Sequence, residues 1–174
     1  MKRLVVIGAG GYGQTVYDVA LQLQKYDEIS FLDDNSMDAR VVGKCEDYLL
    51  YISEQNDIYP AFGNNEQRVG WLRKIESSNG KIPTIIHPTA YVSPKADIGK
   101  GTVILPKAIV NTNVRIKEGC IVNCGAIVDH GCILENGVHI CLGAIVKADN
   151  RIPECMKIEA GTVVENRKYP VNGE

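Results

Sequence analysis

A repeat of six residues governs the second half of the chain. Stepping by six from Ile86 to Val164, every position is Ile, Val or Leu, fourteen residues without a break. Two residues before each stands a mostly small side chain, beginning Thr84, Ala90, Ala96 and Thr102. Three residues after each, glycine recurs seven times between Gly101 and Gly161. A period of six is neither the 3.6 of an amphipathic helix nor the 2 of a half-buried strand. It fits short strands joined by tight corners. The aliphatic and small residues point inward, and glycine takes the corner position that needs left-handed backbone. Three hexads close one triangular coil, and stacked coils run as parallel strands about 4.8 Å apart. A narrow prism interior needs small side chains, which accounts for the presence of only two Phe and one Trp. Pro88, Pro94 and Pro106 share one corner phase, where a missing N–H costs little. Residues 83–166 are therefore expected to form a parallel β-helix, with 167–174 as a tail.

Residues 1–82 are patterned differently. KRLVVI reads as a strand, GAGGYG as a glycine turn, and QTVYDVALQLQ as a helix with Val16, Val19, Ala20 and Leu23 on its apolar face. EISFLDD reads as a second strand ending in two carboxylates, and CEDYLLYISEQ as a helix. DIYPAF is a third strand, GNNE a loop, and a last helix forms around QRVGWLRKIES, with SSNGKIPT as the junction. This alternation predicts a small Rossmann-like parallel α/β domain. Gly8, Gly10 and Gly13 fit G-x-G-x-x-G, and Asp33 lies twenty residues beyond Gly13. Such a turn presents backbone N–H groups and a helix N-terminus to phosphate, with a carboxylate for ribose hydroxyls. About 80 residues supply one mononucleotide-binding half, so one nucleotide carrying a sugar fits better than a dinucleotide. AFGNNEQR adds a second glycine loop at a strand's end, where ligands of parallel sheets bind.

Composition removes several alternatives. The net charge of −2 carries no basic stripe for nucleic acid. The apolar run of MKRLVVIGAGG is too short for a signal-peptide core or a membrane span, so no membrane partner and a cytoplasmic location are expected. The six cysteines (Cys45, Cys120, Cys124, Cys132, Cys141 and Cys155) form no C-x-x-C pair and read as reduced thiols. Cys120 and Cys132 occupy inner positions where alanine serves equally, so no catalytic role is expected of them. The three histidines, 87, 130 and 139, lack the spacing of a zinc-binding γ-type carbonic anhydrase, and no metal is expected. His130, in VDHGC, sits at a corner that does not demand histidine. A neutral imidazole there can take a proton from an amine or hydroxyl attacking a thioester. His139 lies on an outward strand position beside Cys141-Leu142-Gly143-Ala144. Spacing alone leaves both histidines open between chemistry and plain exposure.

GAGGYG, FLDD, AFGNNEQR, IIHPTAYVSP and VDHGC…VHICLGA stand in the order found in the NeuD/PglD-like sugar O- and N-acetyltransferases, which the chain resembles from residue 2 to about 148. The resemblance implies an N-terminal nucleotide-sugar domain and a left-handed β-helix that uses acetyl-CoA. It also implies a homotrimer with active sites between neighbouring subunits. By it, His130 is the general base, His139 lies near the acetyl-CoA thioester, and Gly143 and Ala144 line the coenzyme groove. Gly10, Gly11, Tyr12, Asp33, Asp34, Gly63 and Asn64 would hold the nucleotide-sugar, with a UDP-amino-sugar expected. Acetyl would pass directly to a sugar amine or hydroxyl, in the making of a glycan precursor. Three positions depart from the family. Gly131 stands where an acid usually follows the histidine, and strand alternation would turn Asp129 to the opposite face. Tyr12 stands where histidine is usual, and the β-helix ends about one coil sooner. The chain is read as a sugar acetyltransferase; the missing acid and the missing coil support the alternative, a non-catalytic trimeric nucleotide-sugar-binding scaffold that has lost coenzyme binding. A third reading keeps an acyltransferase but changes the acceptor or lengthens the acyl donor.

Overall fold

In a computed structural model describing residues 1–171, the chain forms two units, Met1–Pro83 and a second from Thr84 onward. The first is a three-stranded parallel sheet in the order β2-β1-β3, with β1 at Arg3–Ile7, β2 at Glu28–Leu32 and β3 at Asn56–Pro60. Val5, Ile7, Leu32 and Ile58 are fully enclosed, as strands of a covered parallel sheet should be. Helix α1 (Gly11–Gln22) buries Val16, Val19 and Ala20, and α2 (Asn65–Ser77) buries Val69, Leu72 and Ile75. CEDYLLY forms a 3₁₀ helix, Cys45–Tyr51, rather than the α-helix its pattern suggested. Only Cys45 and Tyr48 of it are buried, so two inward anchors three residues apart suit the tighter three-residue turn. The junction belongs largely to this unit, because Ile58 N–H donates to the Lys81 carbonyl at 2.8 Å.

The second unit follows the six-residue repeat. All fourteen repeat aliphatics end a two-residue strand, and three faces result. The first face stacks β4 (Ile85–Ile86), β7 (Val103–Ile104), β10 (Ile121–Val122), β13 (His139–Ile140) and β16 (Lys157–Ile158). The second stacks β5 (Tyr91–Val92), β8 (Ile109–Val110), β11 (Ile127–Val128), β14 (Ile145–Val146) and β17 (Val163–Val164). The third stacks β6 (Asp97–Ile98), β9 (Arg115–Ile116), β12 (Ile133–Leu134) and β15 (Arg151–Ile152). Every pairing is parallel and joins residues eighteen apart, which makes one coil three hexads. This is consistent with the expected left-handed β-helix.

The inward residues form one apolar column, including Ala108, Val110, Cys120, Val122, Ala126, Val128, Cys132 and Leu134. Corners from 101 to 167 take positive φ at every sixth residue, five of them without glycine: Lys107, Asn113, Asp149, Cys155 and Arg167. Left-handed backbone strains Lys107, Cys155 and Arg167 by about 1–2 kcal/mol each, so stacking, not local preference, sets the corner there. At the far end Asn150, fully buried among the small residues, donates to the Lys147 and Glu165 carbonyls at 2.8 and 2.9 Å. Its Oδ1 accepts from Tyr169 N–H at 2.9 Å, docking the first part of the tail; residues 172–174 lie outside the described residues.

On the third face Glu135 joins two coils, with Lys117 at 2.5 Å and Arg151 at 2.7 Å. Partial burial alone would raise this carboxyl, but the two cations outweigh it and hold it below the usual range. A carboxyl lowered in the folded state stabilises above its unfolded value, and the contribution is lost as pH falls through the folded one. Glu135→Gln should therefore destabilise the protein at neutral pH by on the order of 2 kcal/mol. In thermal melts the gap to wild type should close as pH falls below the usual glutamate range, through the lowered value of the folded state.

Candidate active site

The carboxyl ends of β1, β2 and β3 gather the motifs of the first unit. Gly8 has φ +99°, and a side chain there would press on the Ala61 carbonyl at 3.2 Å. Gly13 is tighter still: a Cβ would lie 2.0 Å from the Gly8 carbonyl oxygen, so glycine is what lets α1 close on the loop. Gly10, Gly11 and Gly63 differ, because a Cβ at any of them meets nothing within 4 Å. Open space beside Gly10 adjoins the start of α1, which has no side-chain cap and no acid in its first turn. That combination suits an incoming phosphate. Asp33 is partly committed to the loop, accepting from Ala9 N–H at 2.7 Å, Asn35 N–H at 2.9 Å and Ser36 N–H at 2.7 Å. Partial burial would raise its carboxyl, but these donors outweigh it and keep it ionised. Asp34 is exposed and accepts from Cys45 N–H at 3.1 Å.

The second glycine loop is held from below. The Asn64 side chain caps α2 by accepting from Gln67 N–H at 2.8 Å, which starts the helix earlier than its apolar pattern suggested. Arg68, fully enclosed, donates to the Phe62 carbonyl at 2.9 Å and to Asn65 Oδ1 at 2.8 Å. Tyr12 on α1 meets Tyr59 of β3 hydroxyl to hydroxyl at 2.7 Å. Burial first, then Tyr59, push the Tyr12 phenol well above its ordinary range, so it stays protonated. Gln14, Asp38 and Arg40 form a further cluster at the loop, with Gln14 Nε2 donating to the Ala9 carbonyl at 3.1 Å and to Asp38 at 3.1 Å. Sequence reasoning passed over Arg68 and this cluster. The signal available for Arg68 was its place on the inner face of α2.

His130 follows β11 at the corner between the second and third faces, with its side chain 58% exposed. Its Nδ1 lies 3.0 Å from Asp129 Oδ1, which corrects the expectation that Asp129 faces away. Both residues have left the strand, so the alternation of strand side chains does not apply to them. Partial burial would raise the Asp129 carboxyl. The His130 N–H at 2.7 Å and Asn111 Nδ2 at 3.0 Å, with the imidazole, lower it instead. An ionised carboxylate only accepts, so Nδ1 carries the hydrogen and Nε2 of the neutral ring holds the lone pair. His139 Nε2 accepts from Asn123 Nδ2 at 3.1 Å, so its lone pair is already engaged. His87 is buried and its Nδ1 accepts from Thr89 N–H at 3.0 Å, a structural role.

One copy of the chain keeps the two candidate histidines apart. His130 stands on the edge between the second and third faces, whereas His139 is on the first face, across the apolar column. Gly143 is on the edge between the first and second faces, stacked with Gly125 and Gly161. A Cβ on any of the three meets nothing within 4 Å, which leaves that edge smooth. Ala144 has its methyl in the prism core, so only its main chain can face a groove. The Cys120 and Cys132 thiols donate inside the prism to the Glu135 and Lys147 carbonyls, and burial pushes Cys132 up to about 11. Among the described residues no three His, Cys, Asp or Glu side chains gather as metal ligands, and no helix is long and apolar enough to cross a membrane.

These two sites can be set beside known proteins. A family model described as the PglD N-terminal domain matches residues 3–75. UDP-N-acetylbacillosamine N-acetyltransferase of Bacillus subtilis (strain 168) is 29% identical over 114 residues, 60% of this chain and 52% of that protein, so the match spans about half of that relative. The acetyltransferase domain of PglB from Neisseria gonorrhoeae FA1090 is 40% identical with a TM-score of 0.92, covering 96% of this chain and 84% of that one. The same domain solved in complex with acetyl coenzyme A gives 41% identity and a TM-score of 0.91, over 95% and 83% of the two chains. PerB from Caulobacter crescentus, in complex with CoA and GDP-perosamine, shares the fold at a TM-score of 0.78 and 20% identity, over 95% and 90% of the two chains. The 40% identity to the PglB domain, across both units, leaves one conclusion. The chain belongs to the PglD-like family of sugar acetyltransferases.

Proposed function

We propose that this chain is an acetyl-CoA-dependent N-acetyltransferase acting on an amino group of a nucleotide-linked sugar, with His130 as general base. The observation that carries the reading is the Asp129–His130 pair. An exposed imidazole is fixed with Nδ1 donating to a carboxylate, so the Nε2 lone pair faces solvent and can accept a proton from an attacking amine. Acetyl-CoA supplies the activated acetyl carbonyl. The chain supplies the base and, at the first unit, the open backbone of Gly10, Gly11 and Gly63 with Asp33, Asp34, Asn64 and Tyr12 for the nucleotide-sugar. An amine acceptor agrees with the relatives, which are N-acetyltransferases of amino-sugars by name. A UDP-linked sugar follows the more similar of the relatives whose names print a nucleotide.

The catalytic unit in this reading is a homotrimer. The outward residues of the second face are all apolar (Tyr91, Ile109, Ile127, Ile145 and Val163), with Tyr91 56% and Val163 44% exposed. A threefold axis along that face buries the column. It also sets the His130 edge of one copy beside the Gly143 edge of the next, with His139 just beyond. The smooth column of Gly125, Gly143 and Gly161 then offers a bed for the extended coenzyme chain. Thus the site that one copy keeps apart is completed between two.

Free thiol released from acetyl-CoA reads the reaction directly. Incubation with UDP- and GDP-linked amino-sugars should give release with at least one UDP-amino-sugar and none with the corresponding hydroxy-sugars. Absence of release with every acceptor, together with no acetyl-CoA binding by calorimetry, would establish the scaffold alternative instead.

A further inference from the structure

Gly131, directly after the proposed base, leaves a space that another residue fills. A Cβ built on Gly131 would lie 2.5 Å from Asp149 Oδ1. Asp149 occupies the same corner one coil later, with φ +58° against +69° at Gly131. Its N–H donates to the His130 carbonyl at 3.2 Å, which anchors it to the base's own main chain. Its other oxygen meets Arg167 Nη2 at 3.3 Å, and the side chain is 43% exposed. The coil before offers this corner only Asn111, Thr112 and Asn113, none of them titratable. The charged groups at the corner are thus Asp129, Asp149 and Arg167, with the Lys147–Glu165 pair stacked below Asp129, two positions before Asp149 and Arg167.

We propose that Asp149 is a positioning residue for His130: its carboxylate takes the place of the side chain that Gly131 lacks and stabilises the imidazolium formed when His130 accepts the substrate proton. Asp129 fixes the ring through Nδ1, whereas Asp149 acts by charge from the neighbouring coil. The inference rests on His130 being the base. The two corners are interchangeable in backbone terms, because both are left-handed and aspartate tolerates that region better than most residues. Moving the acid from one coil to the other should therefore preserve its function.

Three variants decide this: Asp149→Asn, Gly131→Asp, and the exchange Gly131→Asp/Asp149→Gly. With three histidines in the chain, the His130 ring can be followed by NMR as a function of pH, with no dependence on turnover. Asp149→Asn should move the midpoint of that titration down by roughly half a pH unit, the size expected on removing a partly screened charge from the neighbouring corner. The exchange should restore it, and the acid limb of kcat/KM should move with it while KM for acetyl-CoA stays level. Gly131→Asp alone crowds two carboxylates together and should shift the midpoint upward. An unchanged midpoint in Asp149→Asn, or an exchange that folds but does not restore it, overturns the proposal. A restored titration without acetyl transfer would instead leave Asp149 as placed and discard the enzymatic reading.

Discussion

His130→Ala should lower kcat by about 10²–10⁴-fold, the range a positioned general base supplies, with little change in melting temperature. The two halves of that expectation have separate causes. The side chain is 58% exposed and its polar contact is with Asp129, itself outside the core, so few packing interactions disappear. The rate falls because neither other histidine can take over the proton: His139 Nε2 is engaged by Asn123, and His87 is buried. Asp129→Ala should give a smaller loss. It leaves Nε2 in place but frees the ring to rotate and to take the other tautomer. The Asp129→Ala/His130→Ala double variant should be no slower than His130→Ala, because residues that act as one unit are not additive. Thiol release under saturating acetyl-CoA measures all three. A His130→Ala variant with wild-type turnover removes the proposed base, and additive losses in the double variant separate Asp129 from it.

How much of this was readable beforehand differs between the two units, for a physical reason. The prism repeats one local rule, so each hexad states its own inward aliphatic, inward small residue and corner. All fourteen strands end where the repeat put them. Even so, Lys107, Cys155 and Arg167 adopt left-handed corners that their residue types disfavour, because stacked neighbours fix the register. The relation between Asp129 and His130 was misjudged by extending strand alternation one residue past the strand. The Asp149 carboxylate beside Gly131 is eighteen residues away in sequence and visible only once the coil closes. In the first unit, the glycine loop was legible as a motif, but its division of labour was not. Asp33 read as a ribose ligand and also ties β2 to the loop through Ala9. Arg68 drew no reading from the sequence and is a buried strut beneath the second loop. Both depend on which backbone atoms the sheet brings within reach.

That division of labour predicts opposite outcomes for two neighbouring glycines. Gly13→Ala should be severely destabilising, because its Cβ would sit 2.0 Å from the Gly8 carbonyl oxygen and 3.0 Å from its carbon. Those are backbone atoms of a loop fixed by the Gly8 N–H bond to the Leu32 carbonyl at 2.8 Å, so no side chain can swing aside. Either α1 lifts from the sheet or the loop unseats from β2. Overpacking of this kind costs about 3 kcal/mol or more, a large part of the stability of a domain this size. Gly10→Ala should leave the melting temperature within about a degree or two of wild type, since nothing lies within 4 Å of the new methyl and the φ of −70° suits alanine. What it should lose is nucleotide-sugar affinity, roughly tenfold or more, because the methyl enters the space into which the phosphate approaches the start of α1. Thermal melts and calorimetric titration with a UDP-amino-sugar separate the two effects. Undiminished affinity in Gly10→Ala would move the phosphate away from this loop, and a stable Gly13→Ala would mean that the helix and loop can part without cost.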